Sequence, residues 1–364
     1  MECLQKPIWN KYTRQELEQI SIEPPDEAIR KQVIRNWDRI AKPLDGLGDF
    51  ERMIARIGAI SGSDRIDISK RAVIILCADN GIVAEGVSQT GQEVTAAVAG
   101  LMGKGLSSVG RMAQVAGVDT IPVDIGINSE AAELPGVQNR RIANGTADFS
   151  RTPAMTEEQT VKAIATGIDL VFSCKEAGYR ILATGEMGIG NTTTSSAVAA
   201  ALLKCDARMV TGRGAGLSDA GLCRKQEVIR AAIDKYDLYH ADALEILQTV
   251  GGLDIAGLTG VCIGGALCHL PVVLDGVISM VAALVADRLF PGVREYLIPS
   301  HKGKEPAVRL LTEALGLAPV IDAGMALGEG TGAVMLFPLL DMALSIYNSS
   351  STFQNSKIEQ YKRF

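Results

Sequence analysis

From residue 71 onward the chain repeats one pattern, a short continuously apolar run that ends in a polar or glycine turn and is followed by a helix-patterned segment. The runs are RAVIILCADNG, VDTIPVDIG, YRILATGE, PVVLDG, YLIPSH and PVIDAG. A strand with one solvated face alternates apolar and polar residues, whereas a strand covered on both faces has no reason to alternate. Between the runs lie TTTSSAVAAALLK, GLCRKQEVIRAAIDKY and DGVISMVAALVADRL. This alternation predicts an α/β fold with a mainly parallel sheet and flanking helices.

In such a sheet the ligand lies outside the carboxyl ends of the strands, so the polar residues that follow each run are the candidates for chemistry. They are Asp79-Asn80-Gly81, Glu186 to Thr194, Asp275-Gly276, Ser300-His301-Lys302 and Gly328-Glu329-Gly330. The first seventy residues differ in texture. EAIRKQVIRNWDRIAKPL and FERMIARIGAISG are amphipathic at helical spacing, and Lys42-Pro43 closes the first of them. The tail NSSSTFQNSKIEQYKRF is expected to be polar and mobile beyond its first turn.

Charge and cysteine usage narrow the partners. Lys plus Arg number 36 against 42 Asp plus Glu, a net charge of -6, so the chain has no basic footprint for nucleic acid or an anionic membrane. A small molecule is the better partner. Cys3, Cys77, Cys174, Cys205, Cys223, Cys262 and Cys268 are scattered singly without a CxxC pair, which reads as reduced thiols of a cytoplasmic protein. The three histidines, His240, His269 and His301, have no metal-ligand spacing, so no metal and no cofactor is expected. The apolar stretch 251–289 is interrupted by Asp254, His269, Pro271 and Asp275. It therefore lacks the run of about 18 apolar residues that a membrane span needs, and reads as helix, strand and helix, all buried.

Three glycine-rich loops carry the functional signal. TGEMGIGNTTTSS, residues 184–196, follows a strand and opens a helix, where backbone N–H groups and hydroxyls favour an anion. Its G-x-x-G-x-G order is neither the dinucleotide motif nor a phosphate-binding GxxxxGK[ST] loop, which leaves a single phosphate open. A Ser/Thr helix cap is the plainer alternative. TGRGAGLSDAGLCRKQEVI, residues 211–229, sets Gly212, Arg213 and Gly214 ahead of a helix with Arg224 and Lys225. Those cations suit a phosphate, or else form the solvated face of a surface helix. MALGEGTGAVMLFPLL holds Glu329 between Gly328 and Gly330, a carboxylate that either interacts with a helix N-terminus or acts as a general base.

Taken in order, KPLDGLG, ADNGIVAEGVS, TGEMGIGNTTTSSA, GRGAGL, VLDGVIS, SHKGKEP and LGEGTGA resemble the nicotinate-nucleotide:dimethylbenzimidazole phosphoribosyltransferase family over most of the chain. The resemblance implies transfer of the 5-phosphoribosyl group of nicotinate mononucleotide to an aromatic base, giving an α-ribotide and nicotinate for cobamide biosynthesis. It implies a Rossmann-like sheet over 71–339 and a small helical domain over 1–70, completed by about 340–364. It also implies a homodimer whose neighbouring subunit helps complete the site, or a heterodimer with a paralogue. By carry-over Glu329 is the general base. Glu186, Gly188, Asn191, Gly212, Arg213, Gly214, Lys225 and Gly328 hold the nucleotide, and Asp79, Glu85, Ser88 and Gln92 form the acceptor wall. The chain departs from the family pattern at Asn80, Gly91, Ala215 and Gly303, so the acceptor stays open among benzimidazoles, other azoles, purines and phenols. The competing readings are a different mononucleotide phosphoribosyltransferase or phosphorylase, and a non-catalytic small-molecule binder.

Overall fold

The computed structural model describes residues 6–130 and 134–363. Six strands form one sheet: β1 (Arg71–Ala78), β2 (Asp119–Gly126), β3 (Gln138–Asn139), β4 (Ile181–Met187), β5 (Val272–Leu274) and β6 (Leu297–Pro299). Their order is β3-β2-β1-β4-β5-β6 and every pairing is parallel. The chain thus runs outward from β1 in one direction and from β4 in the other. That reversal opens a crevice at the carboxyl ends of β1 and β4, where the loops diverge to opposite sides.

The apolar runs are covered on both faces as expected. Val73 to Ala78 of β1 and Ile181 to Ala183 of β4 are buried, because helices pack above and below the sheet. The stretch 251–289 folds as helix Leu253–Leu267, β5 and helix Val277–Leu289. Every residue of the first of these helices is buried, and it lies against helix Glu157–Glu176. Among the described residues one helix, Thr331–Ser349, is long and apolar enough to cross a membrane, and half of it is buried inside the protein.

One run does not join the main sheet. β8 (Ile321–Met325), from PVIDAG, pairs in parallel with β7 (His301–Gly303) in a separate two-stranded sheet. Asp322, Ala323 and Gly324 are exposed, so the expectation of a strand covered on both faces fails there. The run holds only Val320 and Ile321 as β-branched residues, too little apolar surface to earn a central place.

The two chain ends meet. Asp26 caps helix Glu27–Arg39 by accepting from Ala28 N and Ile29 N, and this helix packs on helix Asp49–Ser61. Trp37, 1% exposed, has its ring 5.0 Å from that of Tyr347 near the end of the long C-terminal helix. Residues 354–363 are exposed, as the polar composition implies, yet the tail folds back on the N-terminal segment. Thr352 bridges Ile40 in antiparallel fashion, Phe353 is buried, and Arg363 pairs with both Asp38 and Asp45 at 2.8 Å. Composition hid this because a single aromatic anchor, Phe353, supplies the apolar burial, which for one such side chain is about 1.5–3 kcal/mol. Cys77, Cys174, Cys205, Cys223 and Cys262 carry free thiols. Cys3 lies outside the described residues.

Candidate active site

The loops after β1, β4, β5, β6 and β8 enclose a cleft of about 310 Å³. Among its lining residues are Glu186, Gly188, Asn191, Asp275, Gly328 and Glu329, contributed by three separate strand ends and the loops that follow them. Such convergence is what a parallel sheet offers at its carboxyl edge.

Glu329 is held in an uncommon conformation. Its φ is +62°, between Gly328 at +82° and Gly330 at +94°, and only glycine adopts this region without cost. Helix Thr331–Ser349 starts immediately after, with no side-chain cap of its own. The Oε2 atom of Glu329 accepts from Val109 N at 3.0 Å, in the first turn of helix Ser108–Ala116. A helix N-terminus therefore fixes one carboxylate oxygen, while the other takes no hydrogen bond among the described residues. The backbone of Glu329 rests on β4, where a Cβ at Gly185 would meet the Glu329 carbonyl oxygen at 2.5 Å. Gly328 in turn leaves room for Glu186, whose Oε1 would lie 2.6 Å from a Cβ there.

Behind this loop sits a buried carboxyl pair. The Asn191 amide nitrogen donates to Glu186 Oε2 and to Asp254 Oδ2, the latter at 3.2 Å. Burial, reinforced by the charge of Asp254, pushes Glu186 up to about 8. Asp254, fully buried, is pushed up by desolvation to about 7, with the hydrogen bonds from Ile255 N and Asn191 opposing the rise. Two acids on one amide donor share the cost of ionising, so near neutral pH the pair carries less than two charges. Glu186 and Asn191 stand out in sequence within the glycine loop, whereas Asp254 stands out there only as a break in an apolar stretch. An acid in the first turn of a wholly buried helix was the available signal.

The loop 211–217 supplies a cationic corner. Lys225 is fully buried and its Nζ donates to Thr192 Oγ1 at 2.8 Å, so it is no part of a solvated face. Burial pushes it down to about 8, with Glu305 acting in the opposite sense. The first hydroxyl of the TTTSS run thus touches the cation of the second glycine loop. Gly214 N donates to Glu305 Oε1 at 3.2 Å, and Glu305 Oε2 lies where a Cβ of Gly212 would project. A carboxylate therefore sits on this turn beside Lys225. Arg213 lines the cleft but is exposed, its guanidinium paired with Asp219 and bonded to Leu217 O at 2.9 Å.

The residues expected at the acceptor wall separate. Ser88 lines the cleft, with Val87 and Gln89. Asp79 is fully buried and faces inward, accepting from Thr95 Oγ1 at 2.6 Å and Asn128 N at 2.8 Å. Thr95 in turn accepts from Ile189 N at 3.1 Å, so Asp79 braces the glycine loop from behind. Burial raises Asp79 to about 6 in spite of these bonds. Glu85 turns outward to Ser150 and Arg151. Gln92 bonds Asn80 O and Asn128, and lines a different surface hollow with Gly81, Val83 and Thr146. Of the four, only Ser88 is brought to the cleft.

A family model described as a phosphoribosyltransferase matches residues 22–358. The chain is 41% identical over 346 residues to the nicotinate-nucleotide–dimethylbenzimidazole phosphoribosyltransferase of Ruminiclostridium cellulolyticum, covering 95% of this chain and 97% of that protein. It is 42% identical over 330 residues to the protein of the same name from Acetivibrio thermocellus, covering 91% and 94%. The crystal structure of CobT from Thermus thermophilus superposes with a TM-score of 0.87 at 35% identity, covering 92% of this chain and 100% of that one.

Proposed function

Because the chain belongs to this phosphoribosyltransferase family, we propose that it transfers the 5-phosphoribosyl group of nicotinate mononucleotide to an aromatic base. The products are an α-ribotide and nicotinate, the activation of a cobamide lower ligand. The observation that carries the reading is the Glu329 carboxylate, pinned through one oxygen by Val109 N in the lining of the cleft.

Nicotinate in the mononucleotide is a pyridinium, so it leaves as a neutral ring and needs no general acid. The acceptor nitrogen attacks C1 of the ribose from the opposite face, which inverts β to α. As the acceptor ring gains positive charge its remaining N–H becomes acidic, and Glu329 removes that proton. The carboxyl groups around the cleft also favour a ribosyl centre that becomes cationic. Aligning the two rings across the sugar supplies the larger share, up to about 7–11 kcal/mol in favourable cases.

Glu186, Gly188, Asn191 and Gly328 form the nucleotide wall, and Gly212, Arg213, Gly214 and Lys225 serve the phosphate. In this reading the phosphate takes the place of the Glu305 carboxylate on the Gly214 turn, a like exchange of one anion for another. On the acceptor side, Ser88 keeps its assignment, while Asp79 supports the loop and does not touch the acceptor.

The working unit is a homodimer. Val115 on helix Ser108–Ala116 and Met335 and Met342 on helix Thr331–Ser349, two helices in contact, are exposed apolar side chains, as are Leu101 and Leu106, and exposed apolar surface of this kind marks an interface. The helical unit of 1–70 with the C-terminal residues would reach the partner's cleft from there. A cytoplasmic location accords with the free thiols.

An acceptor screen tests the activity. With nicotinate mononucleotide present, nicotinate release is measured for 5,6-dimethylbenzimidazole, benzimidazole, adenine, phenol and p-cresol. Release with a benzimidazole is expected, and silence with every acceptor would overturn the reading.

A further inference from the structure

Something must hold three consecutive residues at positive φ, since Glu329 is not a glycine and its conformation is strained. The local chain does not do it, because Gly330 offers no side chain to cap the helix that follows. The first N–H groups of helix Thr331–Ser349 are instead satisfied from the end of β5. Asp275 Oδ2 accepts from Gly330 N at 3.1 Å, and Oδ1 accepts from Gly332 N at 2.8 Å and Ala333 N at 3.2 Å. Asp275 is 2% exposed. Its own N–H donates to Thr184 Oγ1 at 3.2 Å, in the strand on which the Glu329 backbone rests.

We propose that Asp275 is the positioning residue for the Glu329 carboxylate, acting as a remote cap that locks the Gly328-Glu329-Gly330 turn onto the ends of β4 and β5. This rests on the assignment of Glu329 as the proton acceptor. The lock has two points. Val109 N holds the side chain, and Asp275 holds the backbone one residue beyond. Burial raises the pKa of this acid, and His301, whose Nδ1 lies 3.9 Å from Oδ1, and the three N–H donors oppose the rise. His301 is itself ordered by Ser300 Oγ at 3.0 Å. An acid at 275 can accept all three bonds, whereas an amide would turn a donor toward at least one N–H.

Asp275 borders the cleft, but three of the roughly four acceptor positions of its carboxylate are engaged by the start of the helix, so its main bonds are to the Glu329 turn. Loosening the cap should therefore move the base and spare the ligand. Misplacement by about 1 Å is enough to slow such a reaction about a hundredfold.

The test is a double-mutant cycle on the full-length protein, with nicotinate release measured with 5,6-dimethylbenzimidazole as acceptor. Asp275→Asn is expected to lower kcat at least about tenfold while KM for nicotinate mononucleotide changes less than about twofold. In the Glu329→Gln background the same substitution should change the residual rate less than about twofold, because a misplaced base cannot matter once the base is gone. If Asp275→Asn does not fold, Ala333→Pro takes its place in the cycle. It deletes one of the three donors, a first-turn N–H that has no partner within the helix, and leaves the Asp275 side chain in place. Effects that multiply across the two backgrounds, or a loss in KM with kcat preserved, overturn the proposal. A wild-type protein without turnover would instead refute the assigned reaction, so the two failures are told apart.

Discussion

At the scale of single residues, close approaches around the Glu329 turn leave no room for change. Gly185→Ala places a methyl 2.5 Å from the Glu329 carbonyl oxygen, so the turn must shift. We expect kcat to fall at least about tenfold, with nucleotide binding by calorimetry nearly unchanged. Lys225→Met keeps the bulk of a buried side chain but removes its charge. Losing a charge-assisted contact of about 1.5–3 kcal/mol should raise KM for the mononucleotide roughly 10- to 100-fold while kcat holds. Nothing in the sequence marked Gly185 as different from its neighbours, because its constraint comes from a residue 144 positions downstream. The motif glutamates were legible, since polar groups among glycines at strand ends have few other reasons to be there. Glu85 and Gln92 are not separable from Ser88 in sequence, because all three follow β1 in one polar segment and only the fold directs Glu85 to Ser150 and Gln92 to Asn128.

At the scale of elements, strand existence and the parallel sheet were readable from continuous apolar runs, while PVIDAG was misjudged because its apolar part is two β-branched residues long. The elements that build the site also carry its pH response. Glu186 and Asp254, on β4 and on helix Leu253–Leu267, have folded-state values raised to about 8 and about 7, above those of an unfolded carboxyl. The folded chain therefore binds more protons than the unfolded one between these limits, and stability falls as pH rises. Asp79, raised to about 6, acts in the same sense over the lower part of the range. Lys225 titrates only from about 8 upward and stays outside that window. Thermal melting without ligand should give a Tm that declines from pH 5 to pH 8, and Asp254→Asn should flatten the decline. A Tm that rises over this range would contradict the buried-pair assignment.

At the scale of the whole molecule, the sheet order predicts where a ligand lies, but a single chain also leaves apolar side chains uncovered on its helices. Sequence patterning could not show this, because Met335 and Met342 occupy the same helix as buried Leu336 and Leu340 and differ from them only in direction. Sedimentation equilibrium should find a dimer, and Val115→Asp with Met342→Asp should give a monomer of reduced turnover. The claim at the centre is that Glu329 accepts the acceptor's proton during phosphoribosyl transfer. It is tested most directly by following nicotinate release from nicotinate mononucleotide with 5,6-dimethylbenzimidazole, for the wild type and for Glu329→Gln. The account predicts acceptor-dependent release by the wild type and a loss of at least about a hundredfold in the variant, of the size expected of a general base, with mononucleotide affinity retained. Full turnover by Glu329→Gln would contradict it.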